Sequence, residues 1–235
     1  MRSSAKTLGW VLGVLLFGGS LPVVATESGP KGVSEEVLHR VQLACLQAYP
    51  GDLIAEMTDG ETRLPPDLES DPENLWENLY PLMMQKGEFF PTILQDLVPL
   101  FTRYVSAGQR FLDLGSGDGR VVFLANLLGA DAYGIEYEER LIETSRRAQE
   151  ALSDLIDPER IHLIRGDFFE FPWSDYDVIF YFNRSSSDED RFHSKLISEL
   201  KPGARLIVSA APASIDGLQL VEQGRGINVF EKAAR

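Results

Sequence analysis

The sequence predicts an α/β domain built on a mainly parallel sheet, preceded by a helical extension. Five short and nearly continuous apolar runs follow residue 110, and segments with helical periodicity separate most of them. A glycine-rich stretch, "GSGDG", comes directly after the first run. Strands that are apolar along their whole length are typical of parallel sheets, because helices cover both faces of such sheets.

The strands and helices of this domain follow from the pattern in chain order. Strands are predicted at 110–115, 131–136, 161–166, 176–182 and 204–210. Helices are predicted within 119–129, 138–152 and 187–200. The tail "LQLVEQGRGINVFEK" holds two alternating runs around "QGRG", which predicts an antiparallel hairpin. The sheet therefore has seven strands.

The segment before this domain has a different character. A helix is predicted from Ser34 to about Ala48, a proline-rich surface loop over 58–72, and a second helix from Asp71. A third helix is predicted from Thr92 to about Val105. We interpret 26–87 as a linker with a helical extension and 88–235 as the main domain.

The first 25 residues resemble a targeting segment. Arg2 and Lys6 precede an apolar run, and small residues end at Ala25, which is typical of a secretory signal peptide. An uncleaved membrane anchor through residues 8–25 and a buried N-terminal helix are the alternatives. The segment predicts membrane association or export; a cytoplasmic location is the alternative.

Composition limits the possible partners. The formal net charge is −14, which disfavours nucleic acid as the main ligand, because phosphate backbones are bound by clustered basic residues. The single cysteine, Cys45, excludes an intrachain disulfide. The three histidines show no metal-ligand spacing, so we predict no metal site and interpret them as surface or capping residues.

The glycine turn is the clearest functional feature. Gly115, Gly117 and Gly119 follow the first strand, where ligands of parallel sheets bind. We expect Gly115 to allow the turn, Gly117 to admit a ligand to the backbone, and Gly119 to allow close helix packing, with amides of the helix start free for a polar ligand. Arg120 stands where a dinucleotide motif has its last glycine, and Asp113 would repel a pyrophosphate but suit an amine.

Two further positions extend this site. Glu136 ends the second strand and can accept hydrogen bonds from both ribose hydroxyls. Asp167 follows the third strand, where it can accept from an adenine amine, and Phe168 can pack on the ring. An amino-acid amine, a ribose and an adenine are all parts of S-adenosylmethionine.

With these motifs the chain resembles the class I, seven-strand, Rossmann-like S-adenosylmethionine-dependent methyltransferases. The resemblance rests on "FLDLGSGDGR", "GIEYEERLIETSRRA", "IRGDFF", "YDVIFYFN" and "LKPGARLIVS", and the motif form is closest to the seven-strand lysine methyltransferases and bacterial relatives. It implies S-adenosylmethionine as methyl donor. The cofactor-binding residues it implies are Asp113, Gly115, Ser116, Gly117, Asp118, Gly119, Glu136, Asp167 and Phe168. Ser116 and Asp118 could equally be solvated turn residues.

The acceptor side is expected at the end of the fourth strand. Asn183 is the candidate for orienting an amine acceptor, with Tyr181 beside it; the alternative for Asn183 is a loop cap. The stretch departs from the "N-P-P-Y" pattern of adenine methyltransferases, so the expected acceptor is a protein, including its lysines, or a small molecule. Two other functions remain open: aminopropyl transfer, with 188–190 binding a polyamine, and a non-catalytic S-adenosylmethionine-binding module.

Overall fold

A seven-stranded sheet forms the centre of the fold, as expected. The computed structural model describes residues 32–49, 92–183, 188–210, 212–224 and 226–233. The strands run in the order β3-β2-β1-β4-β5-β7-β6. Their bounds are β1 Arg110–Leu114, β2 Asp131–Glu136, β3 Ile161–Arg165, β4 Val178–Phe182, β5 Arg205–Ser209, β6 Gln219–Gln223 and β7 Ile227–Glu231.

Five helices accompany the sheet within the described residues. They are α1 Glu35–Gln47, α2 Leu94–Tyr104, α3 Arg120–Leu127, α4 Glu139–Ala151 and α5 Glu189–Glu199. Ser34 begins α1 as its cap, since its hydroxyl accepts a hydrogen bond from the amide of Val37 at 3.3 Å. The predicted helices at 34–48 and 92–105 are thereby confirmed to within two residues.

The first five strands are parallel. β1, β2, β4 and β5 are mostly buried on both faces, as their apolar composition predicts, whereas only Ile161 is buried in the edge strand β3. On one face, Phe111 of β1 packs with α1, α2 and α3. On the other face, Leu112 and Leu114 pack with Trp173 and with Leu196 of α5. Adjacent residues of a strand point to opposite faces, so Asp113 shares the face of Phe111.

The C-terminal hairpin is confirmed, and the structure adds its position. β7 pairs antiparallel with both β5 and β6, so the last strand of the chain lies inside the sheet and β6 forms the edge. The predicted second helix from Asp71, the 58–72 loop and the 1–25 segment all lie outside the described residues. Among the residues that the structure does describe, no helix is long and apolar enough to cross a membrane.

Candidate active site at the carboxyl edge of the sheet

Strand register gathers the predicted site residues at one edge of the sheet. Leu114, the last residue of β1, pairs with Ile135 of β2 and with Tyr181 of β4. The main-chain amide of Gly166 donates to the main-chain oxygen of Glu136 at 2.9 Å, which joins the ends of β2 and β3. The glycine turn thus lies between the residues predicted for the ribose and those predicted for the acceptor.

The three glycines of the turn all have left-handed backbones. Their φ values are 81° for Gly115, 54° for Gly117 and 82° for Gly119, which side-chain-bearing residues rarely adopt. A Cβ on Gly119 would lie 3.0 Å from Phe123 and from Ser145, so this glycine lets α3 pack closely against α4. A Cβ on Gly115 would meet no described atom within 4 Å, so the space beside this backbone is open.

The turn does not present its amides to a ligand in the way we expected. The amides of Gly115 and Ser116 both donate to the main-chain oxygen of Ile135, at 2.9 and 3.0 Å. The amide of Gly117 donates to Glu136, and that of Gly119 donates to Ser116 at 2.9 Å. At the helix start itself, the amide of Arg120 donates to Asp118 Oδ1 at 3.3 Å, so the expectation of free amides there is wrong for Gly119 and Arg120.

Asp113 is a buried carboxyl directly before the turn. Its exposure is 2%, and none of the described residues donates a hydrogen bond to it. Burial raises the pKa of Asp113 well above its usual value, and the neighbouring Glu136 and Asp118 raise it further. A cationic partner would offset all three effects, so the site favours a ligand with an amine.

Ser116 and Asp118 are not solvated turn residues, since both are buried. The Ser116 side chain packs against Gly134 of β2: a Cβ there would lie 2.7 Å from the Ser116 oxygen. That oxygen has no hydrogen-bond partner among the described residues. The carboxylate of Asp118 is bound by Arg120 and by Tyr49. Their direct contact with a cofactor therefore stays a prediction.

Glu136 is bound on both oxygens of its carboxylate. Oε2 accepts from the amide of Gly117 and Oε1 accepts from the amide of Glu138, both at 2.8 Å. The residue is 9% exposed, at the end of β2. Because a carboxylate has about four lone-pair sites, two remain for ribose hydroxyls. Glu136 thus links β2 to the glycine turn while retaining acceptor capacity.

Asp167 and Phe168 begin a short 3-10 turn, Phe168–Glu170, two residues after β3. Asp167 Oδ1 accepts from the amide of Phe169 at 2.9 Å, so the carboxylate caps this turn. Phe168 packs edge-on against Tyr181, with ring centroids 6.3 Å apart, and its main-chain oxygen accepts from the Trp173 indole at 3.0 Å. Phe168 thereby connects the predicted adenine side with the predicted acceptor side.

Tyr181 and Asn183 lie at the end of β4. Tyr181 stacks on Phe192 of α5, with centroids 4.2 Å apart. Burial raises the pKa of Tyr181, and Glu189 and Asp188 raise it further, so the phenol is a hydrogen-bond donor and not a base at neutral pH. The Asn183 amide nitrogen Nδ2 donates to the main-chain oxygen of Ala210 at 3.3 Å. Asn183 therefore also ties the loops after β4 and β5, as its capping alternative predicts.

A cavity of about 380 Å³ opens beside these two residues. Its lining residues include Tyr181 and Phe192 and the acidic residues Glu189, Asp190 and Asp216. Glu189 and Asp190 stand in the first turn of α5, as expected for a charged helix start. The cavity therefore combines aromatic rings with negative charge, and both attract cations.

Tyr49 and Tyr137 have no role in the sequence analysis, and Arg120 enters it only as a departure from the dinucleotide motif. Tyr49 and Arg120 both bind Asp118, and the bond from Tyr49 joins positions 69 residues apart, which local pattern does not reveal. Tyr137, directly after Glu136, is 76% exposed. Its position just after β2, next to a predicted site residue, is the signal by which sequence analysis could have found it. Of the histidines, His193 lines the cavity, where its Nε2 lies 3.1 Å from the Asp216 oxygen. No group of described residues could hold a metal ion.

Comparison with known proteins gives the class of this site. Residues 113–211 match the family model of the ANTKMT methyltransferase domain. Over 169 residues the chain is 27% identical to a probable cobalt-precorrin-6B C(15)-methyltransferase (decarboxylating) from Thermoplasma volcanium; the match covers 68% of this chain and 79% of that relative. The chain is a class I S-adenosylmethionine-dependent methyltransferase. Of the three functions left open above, methyl transfer is therefore the one that applies.

Two other similarities extend the comparison. A histone-lysine N-methyltransferase from Gibberella zeae, specific for one lysine of histone H3, is 33% identical over 122 residues, which are 49% of this chain and 23% of that protein. A crystal structure of a mutant of the protein MtNAS aligns with a TM-score of 0.50 and 16% identity, covering 85% of this chain and 88% of that one. The second similarity shows a shared fold.

The described residues of this methyltransferase fit its cofactor, S-adenosylmethionine, which supplies a methyl group on a positively charged sulfur. The open space at Gly115 admits a ligand to the backbone, and the unpaired carboxyl of Asp113 calls for a cation. Asp113 would hold the amine of the methionine end and Glu136 the ribose. Asp167 and Phe168 would hold the adenine. These residues would fix the methyl donor beside Tyr181 and Asn183, so that orientation contributes to the rate.

Proposed function

We propose that this methyltransferase transfers the methyl group to an amine, the side chain of a lysine in a protein. The acidic and aromatic cavity beside Asn183 is the observation that supports this acceptor. A lysine ammonium would be attracted by Glu189, Asp190 and Asp216 and by the faces of Tyr181 and Phe192. A carboxylate-bearing or phosphate-bearing acceptor would be repelled by the same three carboxylates.

Asn183 supplies the orienting contact in this proposal. Since its Nδ2 donates to Ala210, the other amide atom, Oδ1, points elsewhere and has no donor among the described residues. Attack on the methyl group needs the neutral amine, and an amine that donates one N–H to Oδ1 has its lone pair fixed in direction. In this proposal Asn183 increases the rate of methyl transfer by aligning the acceptor amine with the methyl donor.

The comparisons are compatible with this acceptor but do not require it. One relative carries a lysine acceptor in its name, whereas the relative from Thermoplasma volcanium is named for a carbon of a small molecule. A small-molecule amine is therefore the second candidate, and the same cavity favours it for the same electrostatic reason. A cavity of about 380 Å³ can hold a lysine side chain or a small amine, so an assay with both kinds of acceptor is needed to separate the two.

The test is a methyl-transfer assay with the full chain, labelled S-adenosylmethionine and a set of lysine peptides, free amines and uncharged controls. We expect methylation of amines, with kcat/KM for the best peptide falling about tenfold in Glu189→Gln and in Asp190→Asn, since each removes one attractive charge near the acceptor. Glu143→Gln makes the same charge change on an exposed part of α4 and should leave kcat/KM unchanged. Transfer to oxygen or carbon acceptors alone would refute the amine proposal.

We also propose that residues 1–25 direct the chain to a membrane or out of the cytoplasm. The basic residues before an apolar run support this location. Fractionation of cells that express the full chain and a chain lacking 1–25 tests it. The full chain should enter the membrane or exported fraction and the shortened chain should not. Equal distribution of both in the cytoplasm would favour the cytoplasmic alternative.

A further inference from the structure

The end of α1 and the residue that follows its cap contact the glycine turn at Asp118. The hydroxyl of Tyr49 donates to the Asp118 carboxylate, with 3.0 Å between Oη and Oδ2. The thiol of Cys45 donates to the main-chain oxygen of the same residue, with 3.6 Å between sulfur and oxygen. The segment that precedes the methyltransferase sheet therefore holds both the side chain and the backbone of Asp118.

Asp118 is also paired with Arg120, the first residue of α3. The Arg120 Nε lies 2.9 Å from Oδ1 and its Nη2 lies 2.5 Å from Oδ2. Both side chains are almost fully buried. Burial disfavours the charge on Arg120, but the Asp118 carboxylate more than offsets burial and raises the pKa of the guanidinium. Arg120 therefore keeps its positive charge beside this side chain.

A buried ion pair of this kind contributes little to stability, because desolvation of the two charges consumes most of their attraction. It does fix geometry, since a guanidinium and a carboxylate align in a plane with two parallel hydrogen bonds. Asp118 lies between Gly117 and Gly119, whose backbones are unusually free. Hydrogen bonds already hold the amides of Gly117 and Gly119 on either side of Asp118, so a further constraint on the turn comes through the side chain of Asp118.

The Tyr49 hydroxyl is suited to supply that constraint. It lies at the end of α1, which packs in the same core as α2 and α3 through Val41 and Ala44. Burial raises the pKa of Tyr49 well above its usual value, and the Asp118 charge raises it further, so the hydroxyl remains a donor. The bond joins a residue just beyond the end of α1 to Asp118, the charged residue inside the glycine turn.

We propose that Tyr49 is a positioning residue for cofactor binding, acting through Asp118 and Arg120 on the turn from Gly115 to Gly119. The segment before the sheet is then part of the cofactor site and not only a cover for the core. The proposal rests on the assignment of the glycine turn to S-adenosylmethionine. It gives Asp118 an indirect role in place of the direct contact that the sequence predicts.

The experiment compares Tyr49→Phe with Tyr104→Phe in the full chain. Tyr104 also donates its hydroxyl to a carboxylate, Glu222, at 2.8 Å, but this bond joins α2 to the edge strand β6, remote from the turn. Titration calorimetry with S-adenosylhomocysteine gives the Kd for each variant. Hydrogen exchange of the peptide that covers 115–122 gives the rigidity of the turn.

We expect Tyr49→Phe to raise the Kd for S-adenosylhomocysteine and the KM for the methyl donor about fivefold, to leave the KM for the acceptor unchanged, and to speed exchange in 115–122. Tyr104→Phe should change none of these. If Tyr49→Phe and Tyr104→Phe both lowered thermal stability but had the same Kd for S-adenosylhomocysteine, the role of Tyr49 would be purely structural. This result would overturn the proposal. Failure of the unaltered chain to bind S-adenosylhomocysteine would instead overturn the assignment of the turn, and the proposal with it.

Discussion

The side-chain amide of Asn183 donates to the main-chain oxygen of Ala210, at 3.3 Å, and Ala210 has a left-handed backbone with φ of 54°. Ala210 is the one residue other than glycine with positive φ among those the structure describes. The main-chain amide of Asn183 also donates to the main-chain oxygen of Ser209 at 2.9 Å. Strain of this kind persists where surrounding contacts fix it, and it concentrates at functional sites. The ends of β4 and β5 are therefore held in one arrangement beside the acceptor cavity.

Replacing Asn183 should impair the chemical step and spare cofactor binding. Asn183→Ala removes both the bond to Ala210 and the oxygen offered to the amine, so kcat should fall about 100-fold through loss of alignment. Asn183→Asp keeps the shape but cannot donate to Ala210, and it should also be slow. The measurement is single-turnover methyl transfer at saturating donor, with the Kd for S-adenosylhomocysteine as the internal control. Unchanged turnover in Asn183→Ala would show that Asn183 is only a loop cap.

Glu136 should be essential for cofactor binding for a second reason, besides its predicted hydrogen bonds to the ribose hydroxyls. Its carboxylate accepts the amides of Gly117 and Glu138, so it also shapes the turn. Glu136→Gln would place an amide NH2 against one of these donors and weaken charge-assisted bonds, which should raise the Kd for S-adenosylmethionine about 30-fold, or about 2 kcal/mol. Calorimetric titration measures this change.

The control for that experiment is Glu138→Gln. Glu138 is an exposed glutamate two residues further along, and its side chain caps no helix amide. The same chemical change there should leave the Kd for S-adenosylmethionine within about twofold of the unaltered value, as expected for an exposed surface substitution. Equal effects of the two substitutions would show that net charge matters and the contacts of Glu136 do not.

The order of the elements was predictable from sequence because hydrophobic period and glycine punctuation are local properties. β2, Asp131–Glu136, matches the predicted range at both ends, and the other parallel strands differ by one or two residues. The insertion of β7 between β5 and β6 was not predictable, since strand order depends on packing between distant segments. Around the glycine turn, Asp113 and Glu136 could be identified from sequence as carboxylates near strand ends.

The partners of those turn residues could not be predicted. Asp118 is polar and lies between glycines, which normally indicates a solvated turn, yet it is buried with Arg120 and Tyr49. Its burial depends on α1, whose contact with the turn joins positions 69 residues apart. The expectation of free amides at the helix start was wrong for a similar reason, because Ser116 and Asp118 accept from the amides of Gly119 and Arg120.

Substitution of Gly115 allows the effect of its left-handed backbone on the free energy of unfolding to be separated from its effect on cofactor binding. Gly115 and Gly108 have nearly the same φ, 81° and 83°, and a Cβ on either meets no described atom within 4 Å. Gly115→Ala and Gly108→Ala should therefore lower the free energy of unfolding by a similar amount, about 1–2 kcal/mol, from the left-handed backbone alone. Urea denaturation of both variants measures this cost.

Only Gly115→Ala should weaken the cofactor. Its methyl group would enter the space that a ligand occupies beside the backbone, so we expect a rise in the Kd for S-adenosylmethionine of about tenfold or more, equivalent to about 1.4 kcal/mol. Gly108→Ala, between α2 and β1, should bind normally once folded. Equal Kd values for the two folded variants would place the cofactor away from Gly115.

Asp113 should make the ligand-free protein less stable as pH rises. Its carboxyl has a raised pKa in the folded state, so the folded protein binds more protons than the unfolded chain between about pH 4 and that pKa. The stabilising contribution of the neutral carboxyl is present below about pH 4 and is lost as pH rises through the folded pKa. Asp113→Asn mimics the neutral form, so its advantage in unfolding free energy over the unaltered protein should grow with pH and then level off.

Cofactor binding should show the opposite dependence, because a ligand ammonium favours the ionised carboxylate of Asp113. The affinity of the unaltered protein for S-adenosylhomocysteine should rise with pH across the window in which its stability falls, and Asp113→Asn should bind more weakly with no such rise. Methylthioadenosine, which lacks the amino-acid group, is the matched ligand and should bind both proteins alike at each pH. Denaturation and titration from pH 5 to 8.5 measure the two trends. A constant stability difference would mean that the pKa of Asp113 is not raised in the folded protein. A pH-dependent affinity for methylthioadenosine would mean that the dependence does not come from the amine.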